Sequence, residues 1–287
     1  MKVNRNFKSS VFTTLFDNPD LLRELYCALE GVYLPPDAPV SINTLKNVLY
    51  MDLYNDISFV INGKLVVLIE QQSTRNPNMA LRLLLYISEV YEGMLDDNTI
   101  YSTTPVCIPW PEFFVLYNGR DEFPDEEIVR LSDLFEKPQD LGLSEKAKPL
   151  LELEARVINI NEGKNEIILN RCKKLQEYSV FIAKAHAFWK ETGDLKKGIK
   201  AAIKYCRKHG ILEEFLKKYA REVLSMLHME WNLEDAVAFA RKEGIGIGVE
   251  KGIGIGVEKS KQYVIDLLNQ GLTTEEIKQR LTQADKR

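Results

Sequence analysis

Two carboxylates and one amide, Asp56, Glu70 and Gln72, are embedded in two runs of apolar, mostly β-branched residues at 57–61 and 65–69. Ionised carboxylates are costly to bury unless they bind a metal or another cation. Carboxylate oxygens beside a neutral oxygen donor are the ligands that Mg²⁺ and other hard divalent cations take in proteins. These residue types therefore predict a divalent-cation site, whose chemistry would be hydrolysis by a metal-activated water.

The two apolar runs are joined by Asn62-Gly63, a strong signal for a β-hairpin. A strict two-residue loop would pair Asp56 with Ile69 and would place Asp56 and Glu70 on opposite faces of the hairpin. A three-residue loop at 62–64 instead pairs Asp56 with Glu70, at a separation of about 5 Å. We favour the second register because it collects both carboxylates on one face.

Two further features of the hairpin accompany the favoured register. Gln72 follows Glu70 by two residues, so both side chains lie on the same face of the strand, about 6.5 Å apart. On the other face the register brings together three apolar pairs, which are Ile61 with Leu65, Phe59 with Val67, and Ile57 with Ile69.

Asp56, a hairpin and then Glu70-Gln71-Gln72 together resemble the Asp…Glu-x-Lys site of the PD-(D/E)xK nuclease superfamily, in a Glu-x-Gln form. The resemblance is closer to the recombination-promoting nuclease / putative transposase (YhgA-like) family. It covers nearly the whole chain from Phe7 to the C-terminal repeats. The segments that carry it are 69–74, 79–86, 114–119 and 205–216.

The resemblance implies an α/β fold, with a PD-(D/E)xK restriction-endonuclease-like core of mixed sheet flanked by helices and a mainly helical C-terminal region. It implies a Mg²⁺-dependent DNA endonuclease linked to recombination or mobile DNA, with Asp56, Glu70 and the backbone carbonyl of Gln71 as metal ligands. Gln72 departs from the lysine of the superfamily, because it keeps a hydrogen-bond donor but lacks the charge. The alternative is a weak or inactive DNA-binding or self-associating protein that retains the nuclease fold.

Three further residues are candidates for an auxiliary role. Arg82 and Tyr86, one helical turn apart, would face the acidic cluster, and related nucleases often have a polar-x-x-x-Tyr pair in this helix. The alternative is a surface arginine beside a core tyrosine. Glu24 lies in the first helical region, from which some related nucleases supply an extra metal ligand. Tyr117-Asn118-Gly119 is interpreted as the end of a strand.

The net charge of −4 argues against a protein that coats nucleic acid with its whole surface. The charge is unevenly distributed, because residues 171–221 contain fourteen Lys or Arg and only five Asp or Glu. This basic region predicts contact with the DNA backbone, and solvated outer faces of helices are an equally good interpretation. The candidate DNA-binding residues are Lys196, Lys197, Lys200, Lys204, Arg207 and Lys208.

The elements that must position these residues follow from periodicity and turn signals. The sequence predicts helices within 7–31 broken at Asn18-Pro19-Asp20, an extended segment at 46–54, a helix at 79–94 and a strand at 113–117. After Asp133 it predicts mainly helix. The predicted division is a nuclease-like core at 1–132, a helical region at 133–243, a spacer at 244–259 and a helical hairpin at 260–287.

The octapeptide Gly-Ile-Gly-Ile-Gly-Val-Glu-Lys occurs twice in tandem at 244–259. It imitates a nucleotide-binding loop but lacks the preceding strand, so a spacer before a self-associating hairpin is the better interpretation. Four scattered cysteines, no recognisable signal peptide and no long apolar run indicate a cytoplasmic protein that spans no membrane. Cys206 with the histidines does not match the spacing of a common zinc site.

Overall fold

The computed structural model describes residues 10–42, 57–95, 99–232, 249, 261–262 and 266–267. The chain divides into a first unit that ends at Met229 and a second that begins at Glu230. All described residues of the second unit are helical. The first unit contains a six-stranded mixed sheet flanked by helices, which confirms the predicted α/β fold class.

Two helices precede the sheet. Helix α1 spans Val11–Leu15, and helix α2 spans Pro19–Glu30. The Asn18 side chain caps α2 by accepting hydrogen bonds from the backbone N–H groups of Asp20 and Leu21, and Pro19 occupies the first turn, where its missing N–H has no cost. The predicted break at Asn18-Pro19-Asp20 is confirmed.

The strands are β1 (Val40–Ile42), β2 (Ile57–Ile61), β3 (Leu65–Gln72), β4 (Trp110–Tyr117), β5 (Glu126–Arg130) and β6 (Glu154–Asn159). Their order across the sheet is β1-β2-β3-β4-β6-β5. The central strands β3, β4 and β6 run parallel, and the remaining neighbours are antiparallel. The C-terminal ends of the three parallel strands therefore meet at one edge of the sheet.

The β2–β3 hairpin has the three-residue register that the sequence favoured. Ile61 pairs with Leu65, and the last described pair is Ile57 with Ile69. Asn62 and Gly63 have positive φ angles of 53° and 65°, a conformation that asparagine and glycine adopt most easily. Asp56 and the predicted extended segment 46–54 lie outside the described residues, so the pairing of Asp56 with Glu70 stays a prediction.

Helix α3 (Met79–Glu92) packs on one face of the sheet, as its periodicity predicted. The core on this face contains Leu83, Tyr86, Ile87 and Val90 of the helix against Val66, Leu68, Val115 and Tyr117 of the strands. The opposite face is covered by other helices, as shown by hydrogen bonds from Arg156 of β6 to the Leu29 carbonyl and Glu30 carboxylate of α2.

The remaining helices of the first unit are α4 (Glu166–Arg171), α5 (Lys173–Thr192), α6 (Leu195–Lys208) and a helical stretch at 213–229. Gly198 of α6 lies against the Trp189 backbone of α5, where a Cβ would approach within 2.6 Å. The missing side chain thus allows these two helices to pack closely. Within the described part of the chain, no helix is long and apolar enough to cross a membrane.

The structure differs from the predicted boundary between 132 and 133. Strand β6, at Glu154–Asn159, lies between β4 and β5, so the sheet is completed by residues beyond the predicted core. The segment is only six residues long and its last three residues are all buried, so it shows too little alternation to outweigh the helical signals around it. The predicted spacer and C-terminal hairpin fall almost wholly outside the described residues.

Candidate functional site

Glu70 is the central residue of the candidate site. It lies on β3 and is only 3% exposed. Its Oε2 atom lies 3.2 Å from Nη2 of Arg82 on α3. Burying a carboxylate without a positive partner would be costly, so the guanidinium offsets part of the desolvation.

Arg82 and Tyr86 both face Glu70, as their helical spacing predicted. Nη2 of Arg82 donates to the Tyr86 hydroxyl at 2.7 Å, and Nε contacts the same hydroxyl at 3.1 Å. Tyr86 is buried and belongs to the core beneath α3. The tyrosine hydroxyl therefore holds the guanidinium next to the Glu70 carboxylate. The alternative of a surface arginine beside a core tyrosine does not account for this contact between Arg82 and Glu70.

Gln72 lies farther along β3, on the same side of the sheet as Glu70. Its amide nitrogen contacts the sulfur of Met79, the first residue of α3, at 2.6 Å. Sulfur is a weak acceptor, so this contact leaves the amide available for a stronger partner. Gln72 also lines a pocket that extends away from Glu70 towards β5.

Gln71 points to the opposite side of the sheet. Its side-chain amide donates to Asn118 Oδ1 at 2.7 Å, and Asn118 Nδ2 donates to the Tyr178 hydroxyl of α5 at 3.2 Å. The Asn118 backbone N–H also bonds the Gln72 carbonyl at 2.9 Å. Asn118 takes part in all three hydrogen bonds, and two of them hold Gln71 and Gln72 in place. The interpretation of Asn118 as a mere strand end missed this role.

Gly119 fits against the loop that follows β3. A Cβ at this position would lie 2.0 Å from the Ser73 carbonyl oxygen and 2.5 Å from the Tyr117 hydroxyl oxygen. No side chain can be accommodated there without moving the backbone. The Asn-Gly pair at the end of β4, which pairs with β3, is the sequence signal for this support, and from the sequence it is interpreted only as the end of a strand.

The C-terminal ends of the parallel strands form a row beside Gln72. Gln72 is aligned with Tyr117 of β4, and Tyr117 is aligned with Asn159 of β6. Ligands commonly bind at the carboxyl ends of parallel strands. Loops after these strands carry the cations Arg75, Arg120 and Lys164, none of which the sequence singled out.

The cations at this edge are held by neighbours. Arg75 forms an ion pair with Glu127, and Lys164 Nζ lies 2.9 Å from Asp125 Oδ1. The Arg120 guanidinium lies over the Trp189 ring, 4.7 Å from its centroid. Burial, together with the charge of Arg120, lowers the pKa of His186 to about 4. This histidine is therefore uncharged at neutral pH.

Glu24 is placed away from Glu70. Its Oε1 atom accepts a hydrogen bond from the backbone N–H of Lys173 at 3.1 Å, at the first residue of α5. Glu24 therefore caps a helix that begins on the other side of the sheet from α3, and the structure does not bring it to the predicted cation site. A carboxylate at a helix N-terminus is stabilised by the unpaired N–H groups there.

The predicted DNA-binding residues share one exposed surface of α6, which we call the α6 basic face. It comprises Lys196, Lys197, Lys200, Lys204, Arg207 and Lys208, all of them exposed. Four of them, with Lys217 and Glu213, line a shallow pocket of about 390 Å³. Like charges three or four residues apart on a helix repel one another, so this arrangement reduces helix stability.

Comparison with known proteins agrees with the resemblance seen in the sequence. The model of the family described as "Putative transposase, YhgA-like" matches residues 14–189, which is more than half of the 287 residues. The matched range includes all six strands and the site around Glu70. No curated protein and no solved structure matches the chain. The chain therefore belongs to the family of YhgA-like putative transposases.

Proposed function

We propose that the protein is a Mg²⁺-dependent DNA endonuclease that hydrolyses phosphodiester bonds in recombination or in the movement of mobile DNA. The observation that carries the proposal is the burial of the Glu70 carboxylate on β3, one pairing position beyond Ile57–Ile69. Continuing that antiparallel register by one residue pairs Asp56 with Glu70. Membership in the transposase family supports DNA as the substrate.

The donor chemistry of the site fits Mg²⁺. The residues that would hold the cation are Asp56 and Glu70 through their carboxylates and Gln71 through its backbone carbonyl. All of these are hard oxygen ligands. Among the described residues, no group of three or more His, Cys, Asp or Glu side chains is arranged to hold a metal ion, so a complete site depends on Asp56. When bound, the cation supplies a more acidic water and a positive charge beside the scissile phosphate.

The protein's own residues would prepare the site for a phosphate. Arg82 neutralises Glu70 at a separation of 3.2 Å in the structure. Once another cation shares the charge of Glu70, the guanidinium can turn to a phosphate oxygen, for which its planar donors are well suited. Gln72 would donate to the attacking water or to the phosphate. Asn118 would keep the Gln71 backbone in place.

One specific observation favours the second candidate, a catalytically weak or inactive DNA-binding or self-associating protein that retains the nuclease fold. Gln72 supplies no positive charge where the superfamily has lysine. Lys64, which belongs to the same hairpin, lies in the exposed turn at the far end of β3 and so does not supply the charge. Arg82 is then the charged group that must compensate. The two candidates differ in turnover.

Cleavage of supercoiled plasmid DNA distinguishes the two candidates. We expect the purified full-length protein to nick or linearise the plasmid in Mg²⁺ and to leave it intact in EDTA, because the metal-activated water is then lost. Plasmid that binds the protein but stays supercoiled in Mg²⁺ would favour the inactive candidate.

The α6 basic face provides a test of DNA binding that does not depend on cleavage. We expect the Lys200→Glu, Lys204→Glu, Lys208→Glu triple variant to bind duplex DNA more weakly at every sequence. The slope of log K against log salt should become shallower by up to about 3, since each lost phosphate contact contributes about 0.9. Fluorescence anisotropy in EDTA at several salt concentrations measures the slope.

The matched control for this triple variant makes the same charge change on a different surface. Lys137, Lys146 and Lys148 are exposed in the segment between β5 and β6, and replacing them with Glu alters the net charge equally. If both triple variants reduce the slope by the same amount, the effect arises from net charge and the α6 basic face is an ordinary solvated surface.

A further inference from the structure

The segment between α3 and β4 is uncharged and exposed. Residues 99–111 contain no Asp, Glu, Lys or Arg, although such residues make up 28% of the chain. The segment begins with a short 3₁₀ helix at Thr99–Tyr101, continues without helix or strand through 102–109, and enters β4 at Trp110. Its exposed large apolar side chains are Ile100, Tyr101, Val106, Ile108 and Trp110.

The exposed apolar area of this segment is that of a protein–protein contact. Tyr101 is 82% exposed and Trp110 72%, and the three aliphatic side chains are 38–62% exposed. Taking about 150–250 Å² for an aromatic and about 60–120 Å² for an aliphatic side chain, the segment presents about 400–500 Å² of apolar area. One partner of a standard interface contributes about 800 Å², of which slightly more than half is apolar. The two areas agree.

The chemistry and the position of the segment favour a protein partner over DNA. Contact with DNA relies on cations that neutralise phosphates, and residues 99–111 supply none. Trp110 is aligned with Leu65 at the start of β3, whereas Gln72 is aligned with Tyr117 at the other end of the two strands. The two ends are about 23 Å apart along the strand. A partner bound to this segment therefore leaves the candidate site open.

The segment combines prolines with exposed aromatic rings, which makes it complementary to itself. Pro105, Pro109 and Pro111 lie between and beside the rings of Tyr101 and Trp110. Proline-rich segments dock against aromatic side chains at a low entropic cost, because proline restricts the backbone in advance. In a two-fold contact each surface meets its own copy. The rings of one copy can then cover the prolines of the other.

We propose that residues 99–111 form the contact between two copies of this chain, related by a two-fold axis. Strand β6 extends the surface, because it runs parallel to β4 and so begins at the same edge of the sheet. Exposed Leu150 and Leu151 precede it. This contact is distinct from the self-association predicted for the C-terminal hairpin, and it does not depend on the proposed nuclease function.

Sedimentation equilibrium of the full-length protein over a series of concentrations tests the contact. We expect the wild type to dimerise. Tyr101→Glu with Trp110→Glu should raise the dissociation constant of the dimer by about 30-fold or more, as when one central aromatic anchor of an interface is removed. Both positions are exposed, so the monomer tolerates the new charges. A monomeric wild type, or a double variant that dimerises as the wild type does, would overturn the proposal.

The matched control replaces two equally exposed apolar residues elsewhere on the protein. Tyr33 is 80% exposed and Ile167 is 72% exposed, so Tyr33→Glu with Ile167→Glu makes the same charge change at comparable positions. This control should dimerise as the wild type does. Equal weakening by both double variants would mean that added negative charge alone separates the copies, and the proposal would then be rejected.

Cys107 allows the contact to be located by chemical cross-linking. Its thiol is exposed within the 99–111 segment, whereas Cys172 and Cys206 are buried. A short bismaleimide should link two copies through Cys107 at concentrations where the protein is dimeric, because a two-fold contact brings the two segments together. Cys107→Ser should remove the linked dimer, which would exclude the partly buried Cys27 as the reacting thiol.

A displaced thiol is the matched control for cross-linking. Ala187→Cys in the Cys107→Ser protein places one exposed thiol on α5. It measures linkage by random collision, so we expect little linked dimer. If this thiol links copies as efficiently as Cys107 does, or if Cys107 gives no linked dimer, the 99–111 segment is not the contact.

Discussion

Glu70→Gln is expected to abolish Mg²⁺-dependent plasmid cleavage while the protein remains folded. The substitution removes the charge that would hold the cation. We expect the cleavage rate to fall on the order of 10³-fold or more, as when a key electrostatic group is removed from an active site. The amide oxygen can still accept a hydrogen bond from Arg82, so the melting temperature should change little. Plasmid nicking rates and thermal unfolding measure the two effects.

Glu112→Gln is the matched control for this substitution. Glu112 lies on the neighbouring strand β4, on the opposite face of the sheet, and its carboxylate accepts a hydrogen bond from Tyr26 of α2. Glu112 is half-buried, whereas Glu70 is buried, and burial raises the pKa of the Glu112 carboxyl. It is a carboxylate of the same sheet that is remote from Arg82. Its loss should leave cleavage intact. Equal cleavage by Glu70→Gln and the wild type would reject the assignment of the site.

Asp56 extends the same argument to a residue outside the described part of the chain. Asp56→Asn should abolish cleavage as Glu70→Gln does, and the double variant should lose no more than either single variant, because both carboxylates serve one cation. Additive losses would mean that the two residues act at separate places. Such a result would also argue against the extension of the hairpin register to Asp56.

Local signals were sufficient to predict the hairpin. Asn62-Gly63 fixed the turn, and the strict alternation of side chains across a strand allowed the register to be chosen by which faces the carboxylates occupy. Because the choice between two and three loop residues moves every side chain of β2 to the other face relative to β3, one correct decision fixed which residues of β2 share a face with Glu70 and Gln72. The helical spacing of Arg82 and Tyr86 then placed both beside Glu70.

The parts that could not be predicted depend on contacts between distant segments. Strand β6 is short and joins the sheet through pairing with β4 and β5, which local periodicity does not reveal. Asn118 acquires its role only because β4 lies beside β3 and α5 covers the far face. The pocket beside Gln72 likewise combines residues of β3, β4, β5 and α3. Such long-range combinations are properties of the topology.

Gly119→Ala is expected to be the most destabilising small substitution near the site. The new Cβ would lie 2.0 Å from the Ser73 carbonyl oxygen and 2.5 Å from the Tyr117 hydroxyl. The nearest atom belongs to the backbone, so the loop after β3 must shift. Overpacking of this kind costs about 3 kcal/mol, which corresponds to a decrease of roughly 6–12 °C in melting temperature for a chain of this size.

Gly93→Ala provides the comparison. Gly93, at the end of α3, has a right-handed helical conformation, and a Cβ there would meet its nearest neighbour, the Glu89 carbonyl oxygen, at an ordinary 3.5 Å. This substitution should leave the melting temperature within about 2 °C of the wild type, because alanine also restricts the unfolded chain. Gly119→Ala should in addition lose cleavage at temperatures where it is folded, since the displaced loop follows directly from Gln72. If both variants have the melting temperature of the wild type, then the Ser73 carbonyl does not pack against Gly119. That result would reject the claim that the end of β4 supports the site.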